Sequence, residues 1–548
     1  MLSTAISIAL LCFQAVSDPV AYYQLRTQGL DDFSAKNYSQ AAAELERLTT
    51  YEARDPLVWH DLGDSLYQTK RFGEAAAAYL HAHELGDTYK GFAAYSAACS
   101  YALVGDKEHA FAWLDVALKD RFENRPSFAT DTDLNSLHSD SRWQTIAGTL
   151  PDRPFDRNEG WRYDLDFLVM EIKRMHFQYS KEPLPAEVKH RIDSLKSEIP
   201  NLNDAQITLE MQRIITGLGD GHSVLFPVSK FLPPLRLPLQ FYRFPEGLFI
   251  TECDTNPKLV GSRVVKIGDK PIAELLDELP EFVSHDNQMN VDWIGPYYLT
   301  FIGLLRGIGI VGDSDTVPLT VVDTAGRQSV VSVKAGALAP PFNPKLGPIE
   351  GASPEYLSHL STNYWFKAMP ELSALYFQFN SVQNDGSESI AQFALRLRKA
   401  LIDGNIKNLI VDVRLNNGGN GTLLDELVRT VVAFDTRPAS RVYVLIGRDT
   451  FSAAQIFVDR LEKDTHAIFA GEPTGSRPAF VGEGTNVVLP WSGTSGSIST
   501  RYHSADGADD RLWIVPQIPV TLTAADYFAG KDPVLEAVGK IISTSSGG

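Results

Sequence analysis

The sequence contains little cysteine and fewer basic than acidic residues. Its 548 residues include 3 cysteines, 50 Lys and Arg residues and 68 Asp and Glu residues, which gives a formal net charge of −18. Three cysteines cannot build a disulfide framework. A nucleic-acid-binding protein needs a basic surface to displace the counterions of the phosphates. The composition therefore argues against a nucleic-acid partner.

Motifs for metals and nucleotides are also missing from the sequence. No His-x-x-x-His or Cys-x-x-Cys pair occurs, and the glycine-rich stretch at 418–421 reads GGNG. That stretch lacks the spacing of a dinucleotide fingerprint, and no Gly-Lys-Ser/Thr follows it as in a phosphate loop. We therefore expect neither a metal nor a cofactor.

An apolar run lies at residues 5–16. It is too short to span a bilayer, which takes about 20 helical residues, and small residues stand near its end at Ala15 and Ser17. This pattern predicts a signal peptide over 1–17, and a buried amphipathic helix is the alternative because no Lys or Arg precedes the run. No later run reaches 18 apolar residues. We therefore expect an exported protein, periplasmic or extracellular, with no membrane span in the mature chain.

Residues 18–150 contain an internal repeat. Ala41 and Ala42 recur 34 residues later as Ala75 and Ala76, and Ala75 recurs 35 residues later as Ala110. This period is typical of tetratricopeptide repeats, in which small residues let two antiparallel helices approach closely. We predict three such repeats and a cap, with ordinary amphipathic helices as the alternative. The array could bind a protein partner or act as a rigid spacer.

The rest of the chain changes pattern twice. Helical apolar spacing predicts a helical segment over 157–230, and short alternating runs predict a β-rich domain over 231–340. Over 350–540, apolar strands alternate with amphipathic helices, which indicates an α/β domain with a parallel sheet covered on both faces. The predicted fold class is thus multidomain, with an all-α array, a helical segment, a β-rich domain and an α/β domain. The predicted strands of the last domain are 375–379, 409–413, 442–446 and 467–470.

Two predicted strand ends carry residues that could do chemistry, because ligands of parallel sheets bind beyond the carboxyl ends of the strands. The turn after 409–413 contains Gly418 and Gly419, whose backbone N–H groups could bind an anion. After 442–446, Ser452 stands at the start of a helix beside the Ala453 amide. A serine there is either an N-cap, which is the commoner role, or a nucleophile.

A serine nucleophile needs a base. His222 lies in the glycine-rich stretch 217–223, where an exposed and well-placed imidazole is plausible. A surface turn histidine is the alternative interpretation. His466 and His503 are lesser candidates.

Seven segments stand in order along the chain: DGH at 220–222, GSRVVKIGD at 261–269, YFQFN at 376–380, IVDVRLNNGGN at 410–420, TFSAA at 450–454, GEPTG at 471–475 and DPVL at 532–535. In their order and spacing they resemble the tail-specific (C-terminal-processing) and tricorn-core serine peptidases. The resemblance implies an α/β peptidase domain of the crotonase-like or ClpP-like type. It also implies that 237–335 is the substrate-tethering, PDZ-like domain of these peptidases, which could bind an extended peptide at a sheet edge. A purely structural β-domain is the alternative.

The resemblance also implies the roles of the site residues. One branch of the family uses a Ser–Lys dyad, but the matching stretch 471–477 has no lysine, and arginine does not deprotonate. The histidine motif of the tricorn-like branch matches His222, which makes Ser452 the nucleophile and His222 the base.

The remaining roles follow from the same resemblance. The backbone N–H groups of Gly418 or Gly419 and of Ala453 would form the oxyanion hole. Asp510 is the nearest candidate for the third catalytic residue and Asp509 the next, although this segment departs from the family pattern. Gln455 stands where relatives often carry Glu.

The sequence thus predicts an exported serine-type endopeptidase. It would cleave peptides, unfolded proteins or protein tails by Ser–His acyl transfer. The alternative is a catalytically inactive relative that acts as a ligand-binding or protein-scaffold module.

Overall fold

The structure is a computed structural model that describes residues 19–546 apart from 152, 339–345, 348–352 and 405. The predicted signal peptide at 1–17 lies outside the described residues. The chain divides between Pro154 and Phe155 into two units. Within the described ranges, no helix has the length and apolar character needed to cross a membrane.

The first unit consists of helices. They are α1 (Pro19–Ser34), α2 (Tyr38–Tyr51), α3 (Pro56–Gln68), α4 (Phe72–Leu85), α5 (Lys90–Leu103), α6 (Lys107–Lys119) and α7 (Trp143–Ala147). Each helix from α1 to α6 packs on the next one. Helices α2, α4 and α6 begin 34 and 35 residues apart, and the repeated alanines Ala41, Ala75 and Ala110 are fully buried. The helical period read from the sequence is therefore present, while the tetratricopeptide identity stays a prediction.

The second unit mixes helices and strands. Its helices are α8 (Arg157–Met175), α9 (Ala186–Glu198), α10 (Asp204–Thr216), α11 (Ile272–Glu278), α12 (Gln288–Tyr298), α13 (Ile302–Gly307), α14 (Ile390–Asp403), α15 (Asp425–Asp435), α16 (Ala453–Asp464), α17 (Ala524–Phe528) and α18 (Pro533–Ser546). Its first strands are β1 (Val224–Leu225), β2 (Leu235–Arg236), β3 (Leu239–Phe244), β4 (Gly247–Cys253), β5 (Arg263–Ile267), β6 (Lys270–Pro271), β7 (Thr316–Val322), β8 (Gln328–Lys334) and β9 (Gly336–Ala337). The later strands are β10 (Tyr364–Met369), β11 (Ala374–Phe379), β12 (Asn408–Asp412), β13 (Arg441–Ile446), β14 (Ile468–Gly471), β15 (Ala479–Val488), β16 (Ser495–Ser504) and β17 (Ile518–Pro519).

The β-rich domain is an antiparallel sheet in the order β3-β4-β5-β7-β8, with β6 paired to β5. The apolar sides of these strands share one core with α11, α12 and α13. These three helices, inserted between β6 and β7, were not expected from the alternating pattern. The PDZ identity of the domain stays a prediction.

The main sheet has the order β10-β11-β12-β13-β14-β17. Strand β10 is antiparallel to β11, and all later neighbours are parallel. Helices α14, α15 and α16 cover one face, while α18 covers the other. The predicted parallel sheet with both faces covered is confirmed, and the edge strand β10 is an addition to it.

Helices α8 to α10 share a core with the long hairpin β15–β16. Residues of the three helices, such as Trp161 and Ile214, form one cluster with Val487, Leu489 and Ile498 of the hairpin region. Strand β1 also pairs with β16. The helical segment before the β-rich domain therefore packs on residues that follow α16 in the chain.

A buried ion-pair network fixes the turn after β12. The Arg414 guanidinium binds Asp412 at 2.6 Å and Asp532 at 2.8 Å, and Tyr376 donates to Asp412 at 2.6 Å. The Arg414 side chain is 11% exposed and the Asp412 carboxylate 1%. Because two carboxylates depend on one cation, removal of Arg414 would leave both of them buried and unpaired.

We predict that Arg414→Ala lowers the free energy of unfolding by about 3–5 kcal/mol, the usual result of removing one partner of a buried ion pair. The matched control is Arg429→Ala, which removes the more exposed pair with Glu426 and should lower it by about 1 kcal/mol or less. Denaturant unfolding of both variants measures the difference. Equal losses in the two variants would contradict the role given to the network.

Candidate active site

The site lies where β12 and β13 end. The two strands are parallel with Asp412 opposite Leu445, so the turns that follow them leave the same edge of the sheet. The Thr450 hydroxyl donates to the Val413 carbonyl at 3.0 Å, and the Phe451 amide donates to the Asn416 carbonyl at 3.1 Å. The two turns are therefore fastened to each other.

Ser452 occupies a strained turn between β13 and α16. Its φ is 56° and its ψ −124°, a conformation that disfavours every residue except glycine. The side chain makes no capping hydrogen bond to α16, and its amide donates to the Ser476 hydroxyl at 3.1 Å. The Ser452 hydroxyl therefore does not act as the N-cap of α16. A sharp strand-to-helix turn of this kind presents the nucleophile of α/β-hydrolases.

The glycine turn packs directly on Ser452. A Cβ atom built on Gly418 would lie 2.7 Å from the Ser452 Cβ and 2.9 Å from the Ala453 amide nitrogen, and a Cβ on Gly419 would lie 2.3 Å from the Val382 carbonyl. Only glycine fits at either position. The structure thus brings together the four residues that the sequence placed at the strand ends.

The backbone N–H groups of these residues are not equivalent. The Gly418 amide donates to Asn416 Oδ1 at 2.9 Å, so it is already used. The amides of Gly419 and Ala453 donate to no acceptor within the described part of the chain. The amides that remain available to bind an oxyanion are therefore those of Gly419 and Ala453. The sequence had left Gly418 open as an alternative to Gly419.

His222 is held by the carboxylate of Asp220. Asp220 Oδ1 accepts from the amides of His222 at 2.9 Å and Ser223 at 2.6 Å, and also from the Ser499 hydroxyl at 2.5 Å. Its other oxygen binds His176 Nε2 at 3.0 Å. The glycine-rich turn is thus built around a buried carboxylate and is not a mobile surface turn. His176 and Ser499 could not be predicted from the sequence, since nothing in their spacing links them to the turn.

The imidazole of His222 lies between two phenylalanine rings. Its ring centroid is 4.4 Å from that of Phe451 and 5.3 Å from that of Phe480, with interplanar angles of 20° and 12°. Neither ring nitrogen forms a hydrogen bond of normal geometry with a described residue. Burial lowers the pKa of His222 to about 4, against the opposite effect of the Asp220 charge. The imidazole is therefore neutral at physiological pH, the form that can accept a proton.

His222 approaches Ser452 through Phe451, the residue that precedes the serine. Between the Ser452 hydroxyl and the imidazole there is no direct hydrogen bond in the described structure. Hydrogen bonds between nucleophile and base are often formed only when substrate is bound. The structure thus places the two predicted residues in one neighbourhood without joining them.

The predicted third acid is not part of this neighbourhood. Asp510 is exposed and forms no hydrogen bond or ion pair with any residue that the structure describes. Asp509 binds Arg511 at 2.7 Å. Neither carboxylate therefore contacts His222, because Asp509 is paired with Arg511 and Asp510 is exposed to solvent.

Neither the lesser histidine candidates nor Gln455 forms a hydrogen bond with Ser452 in the described part of the chain. His466 is 96% exposed and pairs with Asp435 at 2.9 Å. His503 stacks on Phe480 at 5.1 Å, on the same ring that His222 contacts. Gln455 is buried and donates to Asp459 at 2.7 Å, so its side-chain amide forms a hydrogen bond within α16.

An apolar cavity of about 440 Å³ lies beside the residues that precede His222 and Ser452. Gly221, which precedes His222, and Phe451, which precedes Ser452, form part of its wall. The other large rings of the wall are Phe226, Trp293, Tyr297, Tyr298 and Phe301. Sequence reasoning missed this cavity because its wall combines α12 with β1 and the turn before α16.

One group of side chains in the first unit has the composition of a metal site. Cys99, Asp131 and Asp133 place their ligand atoms within 4.8 Å of one another. Tyr95 donates to Asp131 and Tyr67 to Asp133. Both carboxylates are therefore used to attach the segment after α6 to α3 and α5, which is a packing role.

Comparison with solved structures identifies the fold. Mature CPAF in complex with lactacystin superposes with a TM-score of 0.53 at 16% identity, covering 70% of this chain and 98% of CPAF. Mature CPAF in a second structure gives a TM-score of 0.51 at 15% identity, covering 70% of this chain and 97% of CPAF. The photosystem II D1 C-terminal processing protease matches 70% of this chain and 97% of its own at a TM-score of 0.36 and 13% identity, a likeness too low to add to the argument.

These neighbours confirm the resemblance drawn from the sequence motifs. The matched part of the chain has the fold of mature CPAF. No family profile and no curated protein matches the sequence. At such low identity the likeness establishes the fold, and the activity has to be argued from the site.

The strain at Ser452 leads to a stability prediction. Because glycine tolerates this φ, Ser452→Gly should unfold with a free energy about 1 kcal/mol higher than Ser452→Ala. The control is Ala433→Gly on the exposed side of α15. Its free energy of unfolding should be about 1 kcal/mol lower than that of the wild type. Thermal or denaturant unfolding measures all three variants. An alanine variant as stable as the glycine variant would show that the turn stores no strain.

Proposed function

We propose that the protein is a serine peptidase that cleaves peptides or unfolded proteins. Ser452 is the nucleophile, His222 the general base, and the Gly419 and Ala453 amides bind the oxyanion. The observation that carries the proposal is the Ser452 hydroxyl, which stands on a strained turn, is not used as a helix cap, and has unused amides beside it. Such strain persists in folds where the surrounding structure holds it for function.

The reaction would proceed by acyl transfer. The Ser452 hydroxyl attacks the carbonyl carbon of the scissile bond while His222 accepts its proton, and the two amides stabilise the negative charge on the oxygen. His222 then gives the proton to the leaving amine. Water attacks the acyl-enzyme with His222 again as base, which releases the acid product and restores the serine. A neutral imidazole at physiological pH supports this role.

The cavity next to Phe451 supports a preference for apolar residues near the scissile bond. Its wall is aromatic and adjoins the residues before the nucleophile and the base. A pocket of this size and composition is typical of sites for apolar groups. The substrate would thus be positioned by a large apolar side chain in this cavity.

The remaining parts of the chain would bring substrate to the site and the protein to its compartment. The helical period of the first unit supports a repeat array that binds a protein partner, and the antiparallel sheet of the β-rich domain could tether an extended peptide at its edge. The N-terminal apolar run supports export to the periplasm or the extracellular space.

The central test is hydrolysis by the wild type and by Ser452→Ala. We expect the wild type to cleave an unfolded protein such as reduced casein and to react with a fluorophosphonate probe at Ser452. The variant should lose both, with cleavage falling by at least about 10³-fold because the covalent step is removed. The Ser358→Ala variant, at an exposed serine, is the matched control and should behave like the wild type. A wild type that is neither active nor labelled would favour the inactive, ligand-binding alternative.

The cavity gives a prediction about specificity. Leu338→Trp places a bulky ring in the cavity wall and should lower kcat/KM for peptides with Phe or Leu at the cleavage site by about tenfold or more. Peptides with Ala should be cleaved at nearly the wild-type rate. Val330→Trp, at an exposed position on β8, is the matched control. If Leu338→Trp slows all peptides equally, the cavity does not hold the substrate side chain.

A further inference from the structure

The segment 284–290, which leads into α12, reaches both catalytic turns. Asp286 within it is 3% exposed. Its Oδ1 accepts from the Gly221 amide at 2.8 Å, and Gly221 is the residue before His222. A residue of the β-rich domain's helical insertion therefore holds the turn that carries the proposed base.

The same segment also holds the stretch behind Ser452. Arg477 Nε donates to the Asp286 carbonyl at 2.8 Å, and the Asn287 side chain donates to the Thr474 carbonyl at 3.1 Å. Between these two contacts lies Ser476, whose hydroxyl accepts the Ser452 amide at 3.1 Å. The segment thus grips the loop that positions the proposed nucleophile.

The second carboxylate oxygen of Asp286 is buried and forms no hydrogen bond of normal length with a described residue. The Ser476 hydroxyl lies close enough to this carboxylate to lower its pKa. A buried carboxylate oxygen without a hydrogen bond destabilises the folded protein. Such groups are rare in folded proteins, so one that lies between two catalytic turns calls for a functional explanation.

We propose that Asp286 is a positioning residue that sets the separation of His222 and Ser452. Its carboxylate holds Gly221 on one side and faces Ser476 on the other. The inference rests on the proposed function, because the separation matters only if the two residues react together. No hydrogen bond joins Ser452 to His222 directly, whereas the segment 284–290 binds the Gly221 amide on one side and the stretch 474–477 on the other.

The charge of Asp286 changes near neutral pH. Burial raises its pKa to about 7, and the nearby Asp220 charge acts in the same direction. The Gly221 amide, the Ser476 hydroxyl and Arg477 act in the opposite direction. The neighbouring histidines His222 and His285 are half-buried, and desolvation lowers the pKa of each, so both are neutral in this range.

The two charge states of Asp286 bind the turns differently. Above its pKa the carboxylate accepts from the Gly221 amide and keeps a second, negatively charged oxygen free to accept from the Ser476 hydroxyl, while the Ser476 oxygen accepts from the Ser452 amide. Below that pKa a proton occupies one oxygen, and the carboxyl loses one acceptor position. The bridge is therefore complete only in the ionised state, and activity should rise as pH increases through about 7.

The test is the pH dependence of kcat and KM for the full-length protein and for Asp286→Asn. The asparagine keeps an acceptor for Gly221 but does not titrate. We expect the wild-type kcat to rise with a midpoint near pH 7, and the variant to lose this midpoint and about tenfold or more of kcat, since small misplacements of reacting groups are costly. KM should change by less than about threefold, because Asp286 touches no substrate.

A second variant tests the proposal even if Asp286→Asn fails to fold. Ser476→Ala removes a group that lowers the pKa of Asp286 and should move the midpoint above pH 7. The matched control is Asp164→Asn, which changes another buried carboxylate, one whose pKa is raised to about 6 by burial and which binds the Trp491 and Ser492 amides. This control should leave the midpoint in place.

The outcomes separate the two proposals. A wild type that is inactive at every pH contradicts the proposed function. An active wild type whose midpoint near pH 7 persists in Asp286→Asn and is unmoved in Ser476→Ala overturns only the positioning role.

Discussion

The candidate site depends on the parallel pairing of β12 with β13. With Asp412 opposite Leu445, the chain leaves the sheet twice at one edge, and the two turns must share the same small space. A Cβ at Gly418 would lie within 3 Å of Ser452 and Ala453, so position 418 of the first turn has to be a glycine. The second turn has to reverse from strand to helix at once, which gives Ser452 its positive φ.

Buried charges hold these turns in place. Arg414 binds the first turn to Asp412 and Asp532, and Arg448 binds the second turn to Glu472 at 2.8 Å. Buried ion pairs contribute little net stability compared with apolar packing, but breaking them is costly. Their value in this fold is thus geometric, because they fix where the strands end and leave the apolar faces of the sheet to supply stability.

The sequence predicted what depends on local patterns. The strands at 375–379, 409–413 and 442–446 each differ from the observed ones by one residue at most at either end, because continuous apolar runs between turns are specific to buried parallel strands. Ser452, Gly418 and Gly419 could be found for the same reason, since they follow those runs. The 34-residue period likewise depends on residues close in the chain.

What the sequence could not predict depends on distant segments. Phe480 stacks on His222 from the hairpin β15–β16, 258 residues further along the chain, and no local signal connects them. The choice of Asp510 followed a family pattern in a stretch that departs from it. The electrostatic partners of the turn around His222 are Asp220 and Asp286, which lie in two different domains of the sequence-based division.

In the proposed mechanism, the environment of His222 excludes the imidazole as the group that titrates near neutral pH. An imidazole stacked between Phe451 and Phe480, with a pKa of about 4, stays neutral across the physiological range and cannot by itself produce a pH dependence near 7. Asp286 is the buried carboxylate next to its turn whose pKa lies there. In the proposed mechanism the base is therefore ready at any physiological pH, and the ionisation of the positioning carboxylate decides whether base and nucleophile meet.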